Sequence, residues 1–140
     1  MANNTAVIRT SEADESRSIR GLYGGTGPVS VAQYFREEGV AHPVLLATYR
    51  IPPGASEGLH THGKDDASCG ELDEFYFILA GNGELTVDAS KISVCTGDYV
   101  FVPSGIRRGI ANTAVDVELH VHIVAIPPRR SGVLEQPGAN

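Results

Sequence analysis

The chain has 140 residues, which is the length of one domain rather than two. Hydrophobic residues make up 41% of it, enough to bury a core, so wholesale disorder is excluded. The formal net charge is −6, and the sequence has no basic stripe, so the composition argues against a nucleic-acid partner.

Neither a membrane span nor a signal peptide is predicted. No apolar run reaches the roughly 18–20 residues that cross a bilayer, and residues 1–18 are polar and lack the apolar segment of a signal peptide. Two cysteines make no disulfide framework. We therefore expect a cytoplasmic protein, with Cys95 as a core thiol and Cys69 in a polar loop where it could ligate a metal. His42, which precedes Pro43, is expected to be structural.

Short β-branched runs between frequent glycines and prolines predict an all-β fold. In chain order, the predicted strands lie at 29–35, 44–51, 58–62, 74–81, 84–88, two within 91–103, 107–112 and 116–128. Gly81-Asn82-Gly83 predicts a hairpin turn, and the glycine-rich stretch 21–30 is interpreted as a loop. Residues 1–18 are expected to be poorly ordered until they pair with another segment, and the tail after 128 is expected to be flexible. The number of strands is typical of a jelly roll, with one domain over 1–140 and its core at about 19–128.

Two spaced patterns in the middle of the chain carry its chemistry. They are Gly54-(x5)-His60-x-His62 followed by Glu74-(x6)-Gly81, and Gly97-(x5)-Pro103-x-Gly105-(x2)-Arg108-(x3)-Asn112. Together they resemble the two sequence motifs of the cupin superfamily, over roughly residues 44–112. The resemblance implies a small cupin barrel, whose strands hold metal ligands and whose apolar mouth admits a small molecule.

The first pattern predicts a metal site. Side chains alternate along a strand, so His60 and His62 lie on one face. A carboxylate from a neighbouring strand completes a set of two imidazoles and one carboxylate that leaves coordination positions open. Such a set suits Fe(II), Mn(II), Ni(II) or a catalytic Zn(II). We expect one divalent ion per chain, with zinc favoured, on His60, His62 and Glu74.

Two departures from the family pattern affect this site. Eleven residues, 63–73, separate His62 from Glu74, where the family has three or four, so Glu71 or Asp73 could compete with Glu74. Arg108 stands where the second motif has a histidine, and arginine stays protonated and does not ligate metals. We expect Arg108 either to grip an anionic or carbonyl group of a substrate or to be a surface charge.

A second His-x-His pair, His120 and His122, lies on the last predicted strand. Both rings fall on one face and could replace the missing ligand if that face points inward. The same face carries Asp116 and Glu118, so a solvated pair is the alternative. We expect His120 and His122 to enter the metal site.

The superfamily is functionally broad, so the fold alone does not choose a reaction. Three classes remain: a metal-dependent lyase, isomerase or cyclase; a non-haem iron dioxygenase; and a non-catalytic cupin that binds a small molecule. The chain is similar to the small zinc-dependent cupin cyclases of bacterial aromatic polyketide pathways. That similarity implies an acyl-carrier-bound poly-β-ketone, a Lewis-acid metal and aldol closure without oxygen. Glu74, a metal-bound hydroxide or a histidine outside the metal shell would remove the proton, and Glu74 and Arg108 are the expected catalytic residues.

Five aromatic residues could line the substrate pocket of such an enzyme, and ordinary core packing is the alternative. They are Phe75, Tyr76, Phe77, Tyr99 and Phe101. Since small cupins often pair their sheets, a homodimer is also expected.

Overall fold

The computed structural model describes residues 7–66 and 70–128. As predicted, the regular secondary structure of the described chain is almost entirely β-strand. Its strands are β1 Ser16–Arg20, β2 Pro28–Gln33, β3 Leu45–Ile51, β4 Asp73–Ala80, β5 Asn82–Val87, β6 Ser90–Cys95, β7 Tyr99–Val102, β8 Arg108–Ala111 and β9 Leu119–Ile126. A short helix, α1 Glu12–Glu15, precedes β1, and a 3₁₀ turn, Leu22–Gly24, follows it.

The strands form two antiparallel sheets with the core between them. Six strands lie in the order β1-β2-β3-β9-β4-β7, and three in the order β6-β5-β8. Burial alternates along β9, where Leu119, Val121 and Ile123 are buried and the residues between them are partly exposed. Every second side chain of the larger sheet therefore points into the jelly roll, and we call this its inner face and the opposite side its outer face.

The predicted hairpin at Gly81-Asn82-Gly83 is wrong. β4 pairs with β7 and β9, whereas β5 pairs with β6 and β8, so the chain changes sheets here. Gly81 has a φ of 91°, and a Cβ at this residue would lie 2.4 Å from the carbonyl oxygen of Glu118. Gly81 therefore allows a tight corner where the chain passes from one sheet to the other. Such a corner needs the same glycine-rich sequence as a hairpin turn, so the two are not distinguished by composition.

The N-terminal segment, expected to lack order until it pairs with another part of the chain, forms α1 and β1. The Ser11 hydroxyl accepts a hydrogen bond from the Asp14 backbone N–H at 3.2 Å and so caps α1. β1 then pairs with β2 along its whole length. A polar sequence does not reveal that the edge of β2 offers a hydrogen-bonding partner. Residues 1–6, Cys69 and the tail from 129 lie outside the described residues.

Two further observations concern the cysteine and the membrane predictions. Cys95 is exposed at the end of β6, while the neighbouring Val94 is buried, so the prediction of a core thiol is wrong. In the residues that the structure describes, no helix has the length and apolarity needed to cross a bilayer.

Candidate metal centre

The predicted ligands converge. One ligand atom from each of His60, His62 and Glu74 lies within 4.8 Å of the others. His60 sits on an extended segment joined to β8, with its backbone N–H 2.9 Å from the Arg108 carbonyl. Glu74 stands near the start of β4 and is buried on the inner face. The long stretch between His62 and Glu74 therefore does not keep the carboxylate away from the imidazoles.

Hydrogen bonds orient both imidazoles. The Nδ1 of His60 lies 2.8 Å from the Gly58 carbonyl, which can only accept, so Nδ1–H donates and Nε2 keeps its lone pair. Burial lowers the pKa of His60 to about 4, so the ring is neutral at pH 7 and able to ligate. The Nδ1 of His62 lies 2.8 Å from the Asp66 carboxylate, and its Nε2 lies 3.6 Å from Glu74 Oε1.

Tyr23 covers His60, a contact that sequence reasoning missed. The two rings stack with centroids 3.8 Å apart and 6° between their planes. Tyr23 lies in the glycine-rich loop, which packs against the segment before His60: the Gly58 N–H donates to the Leu22 carbonyl at 2.9 Å. A Cβ at Gly25 would lie 2.1 Å from the Ser56 carbonyl oxygen. The glycines of this loop are the sequence feature that could have predicted the contact, because they let two backbone segments approach closely.

Arg108 is fully buried, and its guanidinium is hydrogen-bonded to other groups of the protein. Its side chain is 0% exposed, and Nη1 lies 2.5 Å from Glu74 Oε1. Nε and Nη2 donate to the carbonyls of Ile106 and Pro103, each at 2.7 Å. The expectations that Arg108 grips a substrate or is a surface charge are therefore wrong. It pairs with Glu74 because residue 108 points inward, and a buried guanidinium requires an anion.

The donor set fits a divalent metal. Glu74 Oε1 accepts from Arg108 and, at 3.3 Å, from the Tyr76 hydroxyl, and an ionised carboxylate has a second oxygen for a cation. With the imidazoles of His60 and His62, a carboxylate oxygen of Glu74 makes a three-ligand set that leaves coordination positions open.

The competing carboxylates lie elsewhere. Asp73 Oδ1 accepts a hydrogen bond from the Ser104 backbone N–H at 2.8 Å, so this side chain ties the start of β4 to the loop after β7. Glu71 lines a separate polar groove with Lys64 and Asp65. Glu74 is therefore the carboxylate that joins the histidines.

The expectation that His120 and His122 enter this site is wrong. Both lie on the outer face of β9, because Leu119, Val121 and Ile123 occupy the inner positions. His122 Nδ1 lies 3.2 Å from the Thr48 hydroxyl. His120 Nε2 lies 3.6 Å from a Glu12 carboxylate oxygen.

The prediction that five aromatic residues line the pocket is wrong for the four on the outer face, and the fifth, Tyr76, is fully buried in the core instead. On β4, Phe75 and Phe77 take the outer positions, and only Tyr76 points inward. Phe75 packs on Phe101, with ring centroids 5.0 Å apart, and Phe77 packs on Tyr99 at 4.9 Å. Tyr99 and Phe101 are 76% and 51% exposed, so these rings cover the outside of the sheet.

A buried carboxyl, Glu57, was also missed. It is 4% exposed, and its Oε1 has no hydrogen-bond partner among the described residues. Burial raises its pKa well above the usual value, and the charge of Glu74 adds to this effect. Its place between Gly54 and His60 in the first motif was the only sequence signal.

A cavity of about 430 Å³ opens beside the centre, a size typical of sites for small molecules. His62, Tyr23 and Tyr49 form the part of its lining that lies near the metal ligands. The apolar lining is Ile19, Leu22, Val31, Val44, Leu45, Ala47 and Leu72, and the polar remainder is Arg17, Gln33 and Arg36.

Comparison with known proteins agrees with this architecture. The Cupin domain family matches residues 47–125. An oxalate-binding protein of Thermotoga maritima is 34% identical over 122 residues, which cover 86% of this chain and 94% of that protein. The crystal structure of a predicted oxalate decarboxylase from Thermotoga maritima has a TM-score of 0.74 at 28% identity, covering 86% of this chain and 99% of that one. A cupin 2 conserved barrel domain protein from Salinispora arenicola has a TM-score of 0.64 at 20% identity over 88% of this chain and 90% of that one, a likeness of fold. The chain belongs to the cupin family.

Proposed function

We propose that this protein binds a small carboxylate anion at a divalent metal held by His60, His62 and Glu74. The convergence of these three ligand groups within 4.8 Å carries the proposal. The name of the Thermotoga maritima relative, an oxalate-binding protein, supports the class of ligand. The open coordination positions of a three-ligand site can accept the oxygen atoms of an anion.

The charges around the centre favour an anionic ligand. Arg108 lies 2.5 Å from Glu74, so the guanidinium offsets the charge of the carboxylate. His60 is neutral at pH 7, because burial lowers its pKa to about 4. A bound divalent cation would therefore keep most of its positive charge for attracting an anion.

The test is calorimetric titration of oxalate into protein whose metal content has been measured by elemental analysis after chelator-free purification. Oxalate should bind the metal-loaded protein and not the chelator-stripped one, while acetate, with a single carboxylate, should bind far more weakly. His62→Ala should abolish oxalate binding, and the matched variant His122→Ala should retain it. Equal oxalate affinity with and without metal would disprove the proposal.

A zinc-dependent aldol cyclase is the second candidate. Bound zinc would polarise a ketone as a Lewis acid. Glu57 favours such chemistry, because a buried carboxyl with a raised pKa and an unpartnered oxygen holds a proton that it can transfer. A poly-β-ketone substrate should then turn over anaerobically on zinc-loaded protein. Strict dependence on iron and oxygen would instead indicate the dioxygenase.

The cytoplasmic location and the homodimer stay predictions. Light scattering at several protein concentrations would measure the oligomeric state.

A further inference from the structure

We infer that the natural ligand of this cavity is a carboxylate with an apolar middle and a second anionic group at its far end. This inference rests on the proposed function, because the metal centre would bind the first carboxylate. It goes beyond it by assigning the rest of the cavity, where Arg17 and Arg36 line the wall with several apolar side chains.

The arginines lie far from the metal ligands along the sheet. Arg17 is on β1, four strands from β4, which carries Glu74. Neighbouring strands are about 4.8 Å apart, so the path along the curved sheet is roughly 19 Å, and the straight line that a ligand would follow across its concave inner face is shorter. Arg17 pairs with Val31, which pairs with Tyr49, and all three line the cavity. The cavity therefore extends from the metal ligands towards the edge strand.

The charged side chains that line the far end of the cavity are both arginines. Arg36 Nη1 lies 3.4 Å from the Gln33 side-chain oxygen, and Arg17 lines the cavity beside them. Within the described residues, no carboxylate lines this cavity, and no ion pair within 4.0 Å joins Arg17 or Arg36 to an acidic side chain.

Three glutamates lie near the arginines on their other side. They line an adjoining outer groove together with Arg17, Gln33 and Arg36, and they are Glu15, Glu37 and Glu38. The Thr10 hydroxyl donates to Glu15, and the Glu37 backbone N–H donates to Glu38. These carboxylates weaken the positive field in the outer groove, whereas the lining of the cavity includes the two arginines and none of these glutamates.

The wall between the two ends is apolar. Ile19, Val31, Ala47 and Leu72 lie along it. A ligand without methylene groups, such as oxalate, would leave this wall in contact with water and would not reach the arginines. A chain of methylene groups would remove apolar surface from water, and a terminal carboxylate would form charge-assisted hydrogen bonds to the guanidiniums.

The test compares suberate, octanoate and oxalate by calorimetric titration of metal-loaded protein. Suberate and octanoate both have eight carbons, but only suberate has a second carboxylate. We expect suberate to bind about tenfold more tightly than octanoate. The double variant Arg17→Gln, Arg36→Gln should lose this advantage and keep its affinity for octanoate and oxalate, which also shows that it is folded. The matched control is Arg20→Gln, since Arg20 is also on β1 but does not line the cavity.

Equal affinity for suberate and octanoate in the parent, or an advantage that survives in the double variant, would overturn the inference. Failure of suberate to bind would do the same. Arginine-dependent suberate binding without any metal-dependent oxalate binding would support the inference and refute the proposed function.

Discussion

The two His-x-His pairs of this chain look alike in sequence and lie in opposite environments. Between His60 and His62 lies Thr61, which is exposed, and Leu59 beside them is 42% exposed, so both rings can turn inward. Between His120 and His122 lies Val121, which is fully buried and holds both rings on the outer face. The residue between the histidines, rather than the histidines themselves, indicates the side on which the pair will lie.

The side chains that contact the two histidine pairs also differ. The inner pair meets a buried carboxylate, Glu74, and Asp66 orients His62. On the outer face, Glu12 near His120 is bound by Arg50, and His122 meets the Thr48 hydroxyl. Among the described residues, the inner pair therefore converges with Glu74 into a three-ligand set, whereas the outer pair is part of no such set.

The largest expected effect is on metal affinity. Replacing both His60 and His62 with alanine removes two of three ligands and should weaken metal binding by roughly a hundredfold or more. The matched double replacement at His120 and His122 should change it less than twofold. Competition with a chelating dye measures the metal affinity of both variants. A comparable loss of affinity in the two would contradict the assignment of the metal site to the inner pair.

The next largest effect is on the free energy of unfolding, and it distinguishes the buried Arg108 from the partly exposed Arg50. Arg108→Met leaves the charge of Glu74 uncompensated inside the barrel and should lower the free energy of unfolding by about 3–5 kcal/mol. Arg50→Met breaks partly exposed ion pairs with Glu12 and Glu118 and should cost about 1 kcal/mol at most. Urea denaturation of the metal-free variants measures both losses, and a similar loss in each would contradict the assignment of Arg108.

The pH dependence of stability should reveal the buried acid. Because the pKa of Glu57 is raised in the folded protein, the folded state holds its proton more tightly than the unfolded state. Stability associated with Glu57 is therefore present below the usual glutamate pKa and is lost as pH rises above it. Glu57→Gln should reduce this loss, as followed by denaturation at several pH values. Glu38→Gln, at an exposed site, is the control, and identical slopes in parent and Glu57→Gln would refute the prediction.

The smallest effect concerns Tyr23. Stacking of this type contributes about 0.5–1.5 kcal/mol, so Tyr23→Leu should weaken metal binding by about two- to tenfold through a less well-oriented His60. Tyr99→Leu, on the outer face, is the control. Metal loss as large as that caused by replacing the histidines would mean that Tyr23 does more than orient a ring.

Much of the architecture was predictable, because short-range patterns decide it. Strands over 44–51, 74–81 and 116–128 were predicted, and the observed β3, β4 and β9 confirm them. The His60, His62 and Glu74 set was predictable for a similar reason, since strand alternation and motif spacing are local properties of the chain. The exposed pair at the edge, Arg17 and Arg36, was not found, because nothing near either residue in the sequence relates it to the barrel interior.

The sequence by itself determined which residues share a face of a strand, and the tertiary structure decided which face is inside. Alternation places His120 with His122, and Phe75 with Phe77, but it is equally satisfied by either orientation of the strand. The orientation is decided by long-range burial, since Val121, Ile123 and Tyr76 fill the space between the sheets. The same holds for charge. Arg108 was predictable as a protonated side chain, but its pairing with Glu74 arises because β4 and β8 belong to facing sheets, where two buried charges stabilise each other only when they meet.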